Sequence, residues 1–254
     1  MNNSLKICLF LVMFGLFGWV SVASAGHSWG NYHWARTSNP FTLKLGDNVS
    51  GTWDAILATS SSDWSLSDVL NTTIAPGLGS KNCKATLGRV EVCNSKYGKN
   101  GWLGIASIWA SGSHITQGTV KLNDSYFSTA AYNTVAWKNL VMCQEVGHTF
   151  GLDHQDESFT NANLDTCMDY TNNPGTNQHP NAHDYEELEA IYEHLDSTTT
   201  ISQTTASKNF GGEISELRSS WGRAVAQDGA GRDSVFEKDL GGGNKILTHV
   251  FWIE

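Results

Sequence analysis

The chain of 254 residues is 40% hydrophobic and 16% charged, which suits one globular domain with a sizeable core and some appendages. Its 16 basic and 25 acidic residues give a formal net charge of −9. Because phosphate backbones are bound through basic surface patches, this charge argues against a nucleic-acid partner.

The first 25 residues have the pattern of a secretory signal peptide. Lys6 precedes an apolar run from Ile7 to Val20, and Ala23 and Ala25 form the A-x-A pattern of a cleavage site. The run is shorter than the roughly 20 residues of a membrane span, which disfavours the alternative of an uncleaved anchor. We therefore expect cleavage after Ala25, secretion, and a mature protein without a membrane span.

Residues 26–196 have the mixed composition of a single folded domain, and their first part is predicted to form short strands. "GRVEVC" (88–93) alternates apolar and polar residues, and "WLGIASIWA" (102–110) reads as a buried strand. "LSDVLNTTI" (66–74) predicts a short helix. "HITQGTVKLND" (114–124) alternates again, and its polar residues predict an edge strand.

Two longer helices follow in the same domain. The first, within 132–150, is expected to be capped by Asn133 or Thr134 and to end at Gly151. The second is the amphipathic stretch 183–195, and the polar residues between the helices predict a loop. Beyond this domain, 197–208 reads as a Ser/Thr linker and 209–254 as a small β-rich extension.

Four cysteines follow the signal peptide, at positions 83, 93, 143 and 167. An even number in an exported chain indicates two disulfides, although four cysteines allow three pairings. A thiol metal site is the alternative, but the chain has no C-x-x-C pair to support it.

The segment "QEVGHTFGLDH", residues 144–154, concentrates residues that can bind a metal. Gln144 and His148 lie four residues apart and therefore share one face of the helix. Gly151 permits a sharp turn, after which His154 can approach His148. Two neighbouring imidazoles suit a zinc site, and Glu145 beside them suits a general base.

This segment resembles the active-site motif of the metzincins, which are zinc endopeptidases with H-E-x-x-H-x-x-G-x-x-H followed by a Met-turn. Glu145, His148, Gly151 and His154 match the motif, whereas Gln144 stands at the first histidine. The segment "CMDY" that begins at residue 167 resembles the Met-turn.

The resemblance implies an α/β (α+β) fold: a twisted mixed sheet with an antiparallel edge strand, an active-site helix, a Met-turn and a C-terminal helix. In such a fold Met168 forms a hydrophobic floor under the metal, and Tyr170 ligates zinc or stabilises an oxyanion. The resemblance also brings Cys143 beside Cys167, which leaves Cys83 to pair with Cys93.

The activity that the resemblance implies is that of a secreted, monomeric zinc endopeptidase acting on a peptide or protein. Glu145 would take a proton from a metal-bound water, and the substrate would add as a strand along 117–124. The alternative is a pseudoprotease that uses the same fold to bind a peptide or surface. A third interpretation is a structural surface protein that interacts through its C-terminal extension.

The third metal ligand is open at this stage. Gln144 could bind zinc through its neutral amide oxygen, or it could only form hydrogen bonds in the cleft. His179 and His183 are further candidates. Calcium is an additional possibility, although a solvated loop fits the spacing of the acidic residues better; these are Asp153, Asp156, Glu157 and Asp165.

Overall fold

The computed structural model describes residues 26–79, 82–204 and 214–254. The predicted signal peptide, 1–25, and part of the predicted linker lie outside the described residues. No helix in the described ranges is long and apolar enough to cross a membrane.

The described residues form four α-helices, one short 3₁₀ turn and nine strands. The helices are α1 (Trp53–Trp64), α2 (Asp124–Phe127), α3 (Val135–His148) and α4 (Ala182–Ile191), and the 3₁₀ turn spans Arg218–Ser220. The strands are β1 (His33–Trp34), β2 (Phe41–Asn48), β3 (Leu70–Pro76), β4 (Val90–Ser95), β5 (Trp102–Ser111), β6 (His114–Asn123), β7 (Arg223–Gln227), β8 (Asp233–Gly241) and β9 (Asn244–Trp252).

All nine strands belong to one mixed sheet in the order β3-β2-β4-β6-β5-β9-β8-β7, and β1 pairs with the start of β6. The pairs β1–β6, β2–β3, β2–β4 and β4–β6 are parallel. The pairs β5–β6, β5–β9, β8–β9 and β7–β8 are antiparallel. The prediction of a mixed α/β structure is confirmed at this level. The expected short helix at 66–74 is wrong, because Leu70–Pro76 pairs with β2, and the helix of this region is α1.

The prediction that 114–124 is an edge strand is also wrong. Strand β6 lies inside the sheet, between β4 and β5. Its polar side chains suggested a solvated edge, but Thr119 and Lys121 are 3% and 4% exposed. The C-terminal segment covers them: Lys121 donates to the backbone oxygen of Ile214 and lies 3.6 Å from the Glu216 carboxylate. An interior strand has no free backbone edge, so a peptide cannot add along 117–124.

The predicted C-terminal extension does contain strands, but they continue the main sheet. Strand β9 pairs with β5 along its length, and β8 and β7 extend the sheet further. The start of the predicted linker is also packed on the domain, because the backbone N–H groups of Thr200 and Ser202 donate to the oxygens of Ala35 and Gly88. A boundary at residue 196 therefore does not separate two folding units in the described chain.

The sheet buries apolar side chains on both faces. The larger cluster lies under α1 and α3 and contains residues of the first six strands. The smaller cluster lies on the opposite face and depends on the C-terminal segment; its buried members are Trp102, Ile105, Trp221, Phe236 and Val250. The alternation of apolar side chains along β5 and β9 supplies both clusters.

Candidate metal centre

Helix α3 lies unusually close to strand β5. The side chain of Thr134 caps the helix by accepting a hydrogen bond from the Trp137 N–H. A Cβ atom at Gly104 of β5 would lie 2.6 Å from Val141 and 2.8 Å from the Glu145 side chain. Only glycine permits this approach, which carries Glu145 onto the sheet.

The turn after α3 returns the chain toward the helix, as predicted. Gly151 has a φ of +101°, and a side chain there would collide with the backbone oxygen of Tyr32. The turn brings the Nε2 atom of His154 to 3.1 Å from the Nε2 atom of His148. The predicted approach of His154 to His148 is confirmed.

Both imidazoles are held in the form that binds a metal. Nδ1 of His148 donates to the Leu152 oxygen at 2.9 Å, and Nδ1 of His154 donates to the Glu157 carboxylate at 3.1 Å. Each Nε2 atom therefore keeps its lone pair and faces the other. Burial lowers the pKa of His148 well below its usual value and that of His154 to about 3, so both rings are neutral.

A third imidazole, from His249 on β9, completes the group. One ring nitrogen of each of the three histidines lies within 4.8 Å of the others. The His249 ring centroid is 4.0 Å from that of His148 and 4.6 Å from that of His154. Burial lowers the pKa of His249 to about 3 as well.

Sequence reasoning did not predict His249. It lies more than ninety positions after His154, in a run that reads as a strand. The available signal was weak: His249 is a single ionisable residue between the apolar residues of "ILTHVFWI". It faces the same side of the sheet as Leu247 and Phe251, which is the side that α3 covers.

Gln144 is fully buried, and its amide has a defined orientation. The amide nitrogen donates to the backbone oxygen of Cys167 at 2.8 Å. The amide oxygen has no hydrogen-bond partner among the described residues. A buried acceptor without a partner costs free energy, and a cation beside it would remove that cost. Ligation by Gln144 stays a prediction.

Glu145 is buried between α3 and the sheet, next to His249. Its Oε2 atom lies 3.3 Å from Nδ1 of His249, and the backbone N–H of Ala106 also bonds to its carboxylate. Its Oε1 atom has no partner among the described residues. Burial raises the pKa of Glu145 to about 8, against the opposing effects of His148 and of the Ala106 N–H.

Met168 and Tyr170 lie at the same centre. Met168 is fully buried beside Gly147 of α3, where an added Cβ would lie 2.8 Å from its sulfur. The Tyr170 hydroxyl is 2.9 Å from Nε2 of His249, and its ring centroid is 4.4 Å from that of His154. Tyr170 therefore contacts two of the histidines, whereas Met168 lies beside the helix residue that precedes His148.

Two disulfides join the four cysteines as predicted. Cys83 is bonded to Cys93 and Cys143 to Cys167, each with a Cα–Cα distance of 5.9 Å. The second bond connects α3 directly to the segment of Met168, so it restrains two walls of the centre. Two disulfides agree with the expected export of the protein.

The other candidate ligands are not brought to the histidines. His179 bonds to the Asp63 carboxylate at 2.7 Å, and His183 stacks on His27. Of the four acidic residues considered for calcium, only Asp153 and Glu157 belong to a compact group of possible metal ligands among the described residues, and the third member of that group is His154. An imidazole is not a ligand that calcium prefers, and these carboxylates instead orient the His154 ring.

The centre thus combines three neutral imidazoles, a fixed amide oxygen and a buried carboxylate. This set can hold a divalent cation of the kind that nitrogen ligands prefer.

Comparison with known protein families finds none that matches the chain, and comparison with curated proteins finds no similar sequence.

Proposed function

We propose that the protein is a secreted zinc-dependent endopeptidase of metzincin type. One observation carries the proposal: the Nε2 atoms of His148 and His154 lie 3.1 Å apart, with Glu145 on the same buried helix three residues before His148. Two ligands at about 2.0–2.1 Å from one zinc ion are separated by about this distance. The predicted signal peptide and the two disulfides support export.

Gln144, His148 and His154 would hold the zinc ion. His249 lies beside them, but its two ring nitrogens are engaged by Glu145 and Tyr170. The fit rests on the free Nε2 atoms of the first two imidazoles and on the unpartnered amide oxygen of Gln144. Zinc in such a site supplies a Lewis acid that polarises a carbonyl group and lowers the pKa of water.

The remaining residues would act on the peptide. Beside a zinc ion the raised pKa of Glu145 would fall, so that its carboxylate could take a proton from a water molecule; its Oε1 atom has no competing partner among the described residues. The Tyr170 hydroxyl, on the other side of His249, could donate a hydrogen bond to the oxyanion of a tetrahedral intermediate.

The centre is closed in this form. Glu145, His148 and Tyr170 are each at most 1% exposed, and β9 occupies the edge of β5. A peptide that adds as a strand would need that same edge, so β9 must move before hydrolysis. The closure also favours a second candidate function, a pseudoprotease that binds a partner without turnover.

Glu145→Gln tests the choice between the two functions because it keeps the volume of the side chain and removes the base. We expect hydrolysis of a quenched peptide library to fall by about 10²- to 10⁴-fold, with the zinc content unchanged. Glu189→Ala, on the exposed side of α4, serves as the control. Hydrolysis that is absent from the wild type, or equal in wild type and Glu145→Gln, would reject the endopeptidase.

A further inference from the structure

A second group of histidines lies at the C-terminal end of α4, outside the centre described above. His33 on β1 and His114 on β6 are register partners in the parallel β1–β6 pair. His194 and Asp196 follow α4 and reach the same place. Three separate parts of the chain therefore meet there, and each contributes a group that can bind a metal.

Asp196 is held in one orientation by Arg36. Its Oδ2 atom accepts hydrogen bonds from the Arg36 backbone N–H at 3.1 Å and from the guanidinium at 3.0 Å. The Asp196 backbone N–H donates to the Arg36 oxygen. These bonds occupy one carboxylate oxygen, whereas Oδ1 faces the histidines and forms a hydrogen bond with Nε2 of His114 at 3.2 Å.

The three imidazoles converge on that second oxygen. The Nε2 atoms of His114, His33 and His194 lie 3.2, 3.5 and 3.9 Å from Oδ1 of Asp196. The Nε2 atoms of His33 and His194 lie 3.3 Å from each other. Ligands arranged tetrahedrally at about 2.0–2.1 Å from zinc would be about 3.3 Å apart. The ligand atoms of His33, His194 and Asp196 all lie within 4.8 Å of one another, and His114 is not part of this group.

Hydrogen bonds and access also suit a metal. Nδ1 of His33 donates to the Asn31 oxygen at 2.8 Å, so its Nε2 atom keeps the lone pair. The His33 and Asp196 side chains are 6% and 9% exposed, whereas those of His114 and His194 are 37% and 56% exposed. A cavity of about 380 Å³ borders His33 and His194 and opens to solvent. An ion can therefore enter from the surface and meet two fixed ligands.

We propose that His33, His194 and Asp196 form a second zinc site, with His114 beside it as a hydrogen-bond partner of Asp196. The ion would join β1 to the segment after α4. It binds only when these two are together, and it therefore stabilises the folded chain.

Metal analysis of the full mature chain tests the proposal. His194→Ala removes the most exposed ligand, and His179→Ala removes a similarly exposed histidine that belongs to neither group. We expect two zinc ions per chain in the wild type and in His179→Ala, and one in His194→Ala. In the metal-free protein, added zinc should raise the melting temperature less for His194→Ala than for either other form.

The outcomes separate this site from the catalytic one. His148→Ala should remove the other ion and leave the second site filled. If His194→Ala keeps the same zinc content and the same zinc-induced rise in melting temperature as His179→Ala, the second site is rejected, whatever the first site does. If His148→Ala changes nothing and His194→Ala loses one ion, the second site stands and the proposed peptidase centre falls.

Discussion

At the scale of single residues, the amide of Gln144 can imitate a ligand histidine. Its nitrogen donates to the Cys167 backbone oxygen, as the Nδ1–H of a metal-bound imidazole would, and its oxygen has no partner among the described residues. The difference lies in affinity, because zinc prefers imidazole nitrogen to a neutral amide oxygen.

Gln144→His should therefore strengthen zinc binding. The new imidazole can donate to the same Cys167 oxygen and present its other nitrogen to the ion. We expect zinc affinity to rise by about 10- to 100-fold, measured by competition with a chromogenic chelator, with peptide hydrolysis retained.

Gln227→His, on the exposed strand β7, adds a histidine outside the centre and should leave the affinity unchanged. If Gln144→His binds zinc no more tightly than this control, Gln144 is not at a ligand position.

At the scale of elements, β9 acts as a cover for the centre. It pairs with β5 and places His249 opposite Ala106, where the imidazole bonds to both Glu145 and Tyr170. Those two residues are the ones that a substrate would have to reach. If the protein is the proposed peptidase, the strand occupies the position that a peptide substrate would take.

His249→Ala should favour the open form. It removes hydrogen bonds to Glu145 and Tyr170, together worth about 1 to 3 kcal/mol, which corresponds to about 5- to 150-fold in the ratio of open to closed molecules. We expect hydrolysis of a peptide substrate to rise by up to this factor while Gln144 and the remaining two histidines keep the zinc.

Thr248→Val is the matched control on the same strand. The Thr248 hydroxyl bonds to that of Ser107 at 3.0 Å. Because Thr248 is adjacent to His249 on the strand, its side chain points to the other face of the sheet. It should weaken the pairing of β9 without freeing Glu145. Loss of zinc and of hydrolysis in His249→Ala would show instead that His249 is an essential ligand.

At the scale of the whole molecule, the C-terminal segment is part of one sheet with two buried faces. Trp221 is 1% exposed and packs with Phe236 and with β5 residues in the smaller cluster. The same segment supplies the strand that carries His249. The candidate metal centre therefore forms only when β9 has paired with β5.

Trp221→Ala should destabilise the entire domain. Truncation of a buried tryptophan costs about 3–5 kcal/mol of unfolding free energy. Denaturation followed by tryptophan fluorescence and by release of bound zinc should give one coincident transition at lower denaturant concentration.

Val225→Ala, at an exposed position of β7, should leave the midpoint nearly unchanged. A zinc-release transition that Trp221→Ala does not shift would mean that residues 214–254 unfold as a separate unit.

Much of the candidate centre could be predicted because it depends on local geometry. Helical spacing places Gln144 and His148 on one face, and Gly151 lets His154 return, so this convergence needs only about ten consecutive residues. The disulfide between Cys143 and Cys167 followed from the resemblance, since it required knowing that the Met168 segment lies beside α3.

What the sequence by itself determined about this protein is thus the helix, the turn and the pair of imidazoles. Tertiary structure alone decided that β6 is interior, that β9 covers β5, and that His249 joins the centre. Sheet order and burial arise from contacts between distant segments: polar residues such as Lys121 look exposed until another part of the chain covers them. The same reason hid the group around Asp196, whose members are brought together only when β1, β6 and the end of α4 meet.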